Sequence, residues 1–246
     1  SIAEVHLLRG QAAKMLEELA TARSELSVGT GTLFSHPGIS TEHTELLVRS
    51  LLLLAEVNEQ QSDWQEAERV FRTAVHYAGA RPQLRLGSHR AVAMNKLASL
   101  LIRQNRLDEA KELLNEVLLE TRQGAGKQLE AVALNNLGML HARLGRFDEA
   151  QARLQESLLL KEQDANPESN SQTLRNLALV ARMKGDDALA QTYAERIERL
   201  RRSTSLSEKA AEHDLVTRLA AGNQIAAEDV LRMIRSSVRR RISTAP

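Results

Sequence analysis

The sequence predicts an all-α fold, a right-handed superhelical solenoid of antiparallel helix pairs, on three observations. Residues 50–75, 92–117, 132–157 and 171–197 can be laid over one another. Each segment carries Leu followed by a small residue: Leu54-Ala55, Leu97-Ala98, Leu137-Gly138 and Leu177-Ala178. Thirteen residues after each Leu stands an alanine, giving Ala67, Ala110, Ala150 and Ala190, spaced by 43, 40 and 40 residues. A fixed period of this size marks an array of stacked supersecondary units. Such arrays grow lengthwise, each unit packing on its neighbours, and offer extended binding surfaces.

The elements follow in order. Residues 2–26 read as one amphipathic helix, with Ala12, Leu16 and Leu19 at apolar spacing, the second helix of a partial repeat. Residues 27–40 (SVGTGTLFSHPGIS) are rich in Gly and Ser, carry Pro37, and are expected to be a loop. Within it Gly29-Thr30-Gly31-Thr32 lacks the Lys-Ser/Thr of a phosphate loop and is expected to be a flexible turn.

The third aligned unit shows the plan. Leu134, Leu137, Gly138 and His141 form one helical stripe. Gly145 interrupts at a turn, as Asn105 and Gly185 do elsewhere, all tolerant of left-handed backbone. Phe147-Asp148-Glu149-Ala150 opens a second helix with acids where the helix dipole favours them. Trp64, Leu107 and Phe147 share one slot, and Phe71, Leu114 and Leu154 share another. The fourth unit puts Asp187 and Ala194 in those slots, so its second helix should pack less tightly. Gly138 and Ala150 are small because two helices cross there.

Beyond residue 203, Ser205-Leu206-Ser207-Glu208 reads as a capping box opening a helix to about Ala221. A last helix follows from about Gln224, with Ala227, Leu231, Ile234 and Val238 as its stripe. The division expected is therefore 1–40, a helix and loop; 41–203, four repeats; and 204–246, a degenerate capping pair with a basic tail. That makes about eleven helices in all.

Composition narrows the function. Lys+Arg number 33 against 32 Asp+Glu, so bulk charge argues against a nucleic-acid binder. Six aromatic residues are poor material for stacking bases. The chain has no Cys, which fits a reducing, cytoplasmic setting and removes thiolate chemistry. No apolar run approaches the ~18 residues that span a bilayer. The seven His show no metal-ligand spacing, and neither a nucleophile elbow nor a cofactor motif appears. The chain is read as non-enzymatic and without cofactor or metal. It opens at Ser1 directly in helical pattern and is read as a piece of a longer protein, which leaves room for a targeting segment upstream.

The paired small residue, the second-helix Ala and the large apolar residue four further on resemble the tetratricopeptide repeat (TPR). The period of 40–43 and the wording ALNNLG…GRFDEA look most like the longer repeats of kinesin light chains. The resemblance implies that first helices line a concave face holding peptide ligands. Carried onto this sequence, the implied ligand residues are Asn95, Lys96, Arg103, Asn135, Asn136, Arg143, Arg175, Asn176 and Arg182. Asn offers both donor and acceptor to a peptide backbone, and Arg suits a carboxylate. The first aligned unit departs, with Glu56 and Glu59 on its corresponding face. The competing reading makes these polar residues solvated positions or inter-repeat hydrogen bonds.

The leading expectation is a protein-interaction module that captures a partner peptide or helix carrying acidic residues. The alternative is an effector-sensing segment of a larger transcription or signalling protein. The five arginines of residues 232–241 read first as a solvated helix end, and second as a contact for phosphate, membrane or an acidic partner.

Overall fold

A computed structural model describes residues 2–35, 41–80, 86–121, 126–162 and 167–220. Ten helices and no strand occur among the described residues: α1 (Ile2–Met15), α2 (Leu19–Phe34), α3 (Thr41–Gln60), α4 (Trp64–Gly79), α5 (Gly87–Arg103), α6 (Leu107–Glu120), α7 (Lys127–Arg143), α8 (Phe147–Glu162), α9 (Pro167–Met183) and α10 (Asp187–Ala220). They form five antiparallel pairs stacked into a superhelical solenoid. Odd-numbered helices also touch one another from pair to pair, while even-numbered helices make no comparable contact with each other. The odd helices are therefore the inner wall of the curve.

One turn is built five times. Glu17, Ser62, Asn105, Gly145 and Gly185 all have φ between 62° and 81°. In each turn the next residue's N–H reaches back five positions: Glu18 to Ala13, Asp63 to Asn58, Arg106 to Leu101, Arg146 to His141 and Asp186 to Ala181, each at 2.9 Å. A second bond closes one residue inside, as in Gly145 N–H to Ala142 O at 3.1 Å. This pair of bonds is the Schellman closure, which satisfies carbonyls that a helix end leaves open. The next helix starts at once, and Asp63 and Asp186 cap theirs by accepting from Glu66 N and Leu189 N.

The first pair corrects the reading of residues 2–40. There is no single helix over 2–26 and no loop over 27–34, because α1 ends at Met15 and α2 runs to Phe34. Gly29-Thr30-Gly31-Thr32 lies inside α2, with Thr30 Oγ1 donating to Leu26 O at 2.9 Å. Gly29 serves a close approach rather than a turn: a Cβ there would lie 3.1 Å from His6 Cβ and 3.4 Å from Ala3 O. Gly10 and Leu26 repeat the contact of Gly138 and Leu154. A Cβ on Gly10 would meet Leu26 Cγ at 2.5 Å, and one on Gly138 would meet Leu154 Cγ at 2.6 Å. Residues 2–34 thus form a whole repeat, with Gly10, Glu17, Leu19, Ala22 and Leu26 in the five marker slots. Residues 36–40 lie outside the described ones.

The C-terminal end also differs. The expected capping box at Ser205–Glu208 falls within α10, which continues unbroken as one 34-residue helix. The expected last helix and the basic tail lie outside the described residues. In α10 the packing is thinner, as the sequence predicts. Ala190 and Tyr193 are buried, but Ala194, in the slot of fully buried Leu154, is half-buried.

The alanine series sits where the helices cross, and Ala67, Ala110 and Ala150 are wholly buried. Replacing Ala150 with Leu should overpack the α7–α8 crossing and cost ~1–3 kcal/mol, read as a lower urea midpoint. An unchanged midpoint would mean that the crossing lies elsewhere.

Candidate functional site

Four positions on each inner helix, spaced four, three and four residues apart, share the open side of the wall. On α7 they are Val132, Asn136, Met139 and Arg143, and on α9 they are Gln172, Asn176, Leu179 and Met183. On α5 the same slots include Lys96 and Arg103, and on α3 Leu53 and Glu56. The spacing keeps these side chains on one face because ~3.6 residues complete a turn.

Polar ladders tie the inner helices together. Asn136 Nδ2 donates to the Asn95 backbone O at 3.3 Å and to its Oδ1 at 3.4 Å. One repeat on, Asn176 Nδ2 donates to Asn135 Oδ1 at 3.0 Å. Asn95 Nδ2 reaches Leu129 O at 3.5 Å. Each such bond is worth only ~0.5–1.5 kcal/mol net, so the ladder sets spacing between repeats more than it sets stability.

On the α1–α5 half, Glu56 and Glu59 hold cations. Glu56 of α3 is bridged by Lys14 from α1 and by Lys96 Nζ from α5 at 3.1 Å. Burial pushes the Glu56 carboxyl up, yet Lys96 and Lys14 outweigh it and hold it below the usual carboxylate value. Arg103 Nη1 donates to Glu59 at 2.7 Å, and its guanidinium lies 4.2 Å from the Trp64 ring centroid. On the outer face Glu68 accepts from Arg106 at 2.8 Å and from Arg72 at 2.9 Å, and both arginines also reach Glu109. That ring ties α4 to α6.

Two models described as tetratricopeptide repeat match residues 58–133 and 129–203. The chain belongs to the tetratricopeptide-repeat family. Among solved structures, apo RapI is 15% identical with a TM-score of 0.68, covering 98% of this chain and 83% of that one. The Rap conjugation gene regulator of plasmid pLS20, in complex with the Phr* peptide, is 18% identical with a TM-score of 0.66. It is covered over 62% of its own length and 96% of this chain's. TPR-like repeats of a Podosopora anserina protein named for the kinesin light chain give 16% identity and a TM-score of 0.59, over 82% of this chain and 95% of that one. At these identities the likeness is one of fold. A comparison with curated protein sequences finds no match.

In this TPR array the nine residues named from sequence divide into three sets. Asn95 and Asn135 are only 3% and 9% exposed and serve the inter-repeat ladder with Asn136 and Asn176. Lys96 and Arg103 stand on the open face but already hold Glu56 and Glu59. Arg143, Arg175 and Arg182 are exposed, and no carboxylate pairs with them among the described residues; Arg175 Nη1 donates to the neutral Gln172 at 3.2 Å. Sequence reasoning missed the apolar members of the same face. Val132, Leu179 and Met183 are 37%, 45% and 46% exposed, with Met139 half-buried between them. The signal was available, since Val132 and Met139 stand one helical turn from Asn136, Leu179 stands one turn from Asn176 and Met183 follows Arg182.

No helix among the described residues is long and apolar enough to cross a membrane. No group of three or more His, Asp or Glu among them is placed to hold a metal.

The Glu56 bridge makes stability depend on pH. A depressed carboxyl contributes fully above its unfolded value of about 4.3 and loses that contribution as pH falls through its lower folded value. The gap in urea midpoint between the parent and Glu56→Gln should be wide at about pH 7 and should narrow as pH falls below the unfolded value. A gap independent of pH would leave the bridge without a stabilising role.

Proposed function

We propose that this chain is a protein-interaction module whose inner face receives a peptide or helix of a partner. TPR arrays are typically non-catalytic scaffolds, and the family supports the interaction role. The observation that carries the groove reading is the open stripe repeated on α7 and α9. It offers apolar, amide and guanidinium groups at regular spacing, the mixture that binds a peptide by backbone clamps and side-chain contacts. A carboxylate-bearing ligand suits the exposed arginines. The sensor reading uses the same surface. The Rap conjugation gene regulator, of the same fold, is in complex with a peptide, and a ligand that binds one pitch of the superhelix better than another would shift it.

The test is affinity capture on the whole chain, followed by hydrogen exchange of the complex. Protection gained on α5, α7 and α9 supports the reading. Protection confined to α4, α6 and α8 would move the site to the outer face. Arg143→Ala should weaken a captured peptide more at low salt than at high salt, since screening already weakens an exposed charge pair.

A further inference from the structure

We infer that capture is confined to the α7–α9 half of the inner face and that its occupant is an acidic peptide segment carrying aliphatic side chains. This rests on the groove reading above and narrows it.

The two halves of the face differ in charge. On the α1–α5 half, Glu56 and Glu59 occupy Lys14, Lys96 and Arg103. A ligand carboxylate there would have to displace one already held. Arg49, also exposed on α3, has Glu45 one turn before it on the same helix. On the other half Arg143, Arg175 and Arg182 have no carboxylate partner among the described residues. The acids of α7 and α9, Glu130 and Glu168, stand 13 and 14 residues from Arg143 and Arg182. At 1.5 Å rise per residue that is roughly 20 Å along the axis, beyond a Debye length at physiological salt. Asp186 follows Arg182 by one turn but caps α10 through Leu189 N, so the three guanidinium groups, none in an ion pair among the described residues, leave a local positive charge that a near-neutral net charge conceals.

Met139 and Leu179 fall level with the span between Arg175 and Arg182 on adjacent helices, with Val132 and Met183 at its two ends. Flexible Met side chains adapt to varied aliphatic partners. An apolar patch rimmed by arginines complements an acidic amphipathic segment, with guanidinium–carboxylate forks outside and aliphatic contact within. Arg175 and Arg182 are two turns apart on α9, about 10 Å along its axis. Carboxylates about seven residues apart in a helical ligand, or about three apart in an extended one, match that separation.

The probe is a displayed library of random peptides of ~16 residues, roughly four helical turns, panned on the full chain. Recovered peptides are then titrated by fluorescence anisotropy against the parent and three variants. The expected peptides are rich in Asp and Glu interleaved with Leu, Ile or Val. The double variant Arg143→Glu with Arg182→Glu should bind them about tenfold or more weakly. Leu179→Glu should also lose affinity, whereas Arg49→Glu should stay within about twofold of the parent. All these side chains are exposed, so far-ultraviolet circular dichroism should match the parent in every variant. Peptides without acidic excess, or equal binding by the double variant, would overturn the inference. If Arg49→Glu weakened binding instead, the groove reading would stand and its confinement to α7–α9 would fall. No recovered peptide, or binding indifferent to all these variants, would remove both.

Discussion

Replacing Phe71 with alanine should be the most damaging single truncation in the array, costing ~3–5 kcal/mol. Phe71 is the largest side chain wholly buried in the described residues and lies in the core shared by α3, α4 and α5. It fills the slot that Leu114 and Leu154 fill in later repeats, but with a ring that backbone shifts cannot replace. The measurement is urea unfolding followed by circular dichroism. Because each repeat contacts only its neighbours, the loss should appear as earlier melting of the repeats around α4, and the transition should broaden. A midpoint within error of the parent would show that the ring is not held in the core.

Leu26→Ala should cost ~2–5 kcal/mol, about as much as Leu154→Ala. Both leucines are wholly buried, and each covers the glycine of its own crossing, Gly10 or Gly138. If residues 2–34 were a lone helix and a loop, truncating Leu26 would remove little packing. The comparison is therefore a direct test of the N-terminal repeat. Because the unit is terminal, its loss should show as helix content that melts ahead of the main transition. Melting indistinguishable from the parent would mean that α1 and α2 do not pair as described.

The N-terminal repeat escaped sequence reading for physical reasons. Its turn residue is Glu17, which reaches φ 62° at a cost of roughly 1–2 kcal/mol that only a well-packed hairpin repays. Its Leu slot holds Arg9, and the glycines of α2 look like loop residues until α1 is laid against them. The capping box at Ser205 misled in the opposite direction. A local start signal does not end a helix when no turn residue breaks the backbone before it, and α10 runs through.

Within the candidate site, residue types were legible and partners were not. The sequence by itself determined the pairing of helices, the 40–43 residue period and the stripe that faces inward, because these follow from helical spacing and from small residues where helices cross. It also carried the Asn and Arg series that marks the inner face. Only the tertiary structure decided which of those groups remain open. Asn95 and Asn135 are enclosed by the next repeat, and Lys96 and Arg103 meet acids 40 and 44 residues away in the chain. Arg143, Arg175 and Arg182 meet none among the described residues. The reason is that pairing across repeats depends on how far one helix pair is rotated on the last, and that rotation is set by packing volumes along the whole stack rather than by any local pattern.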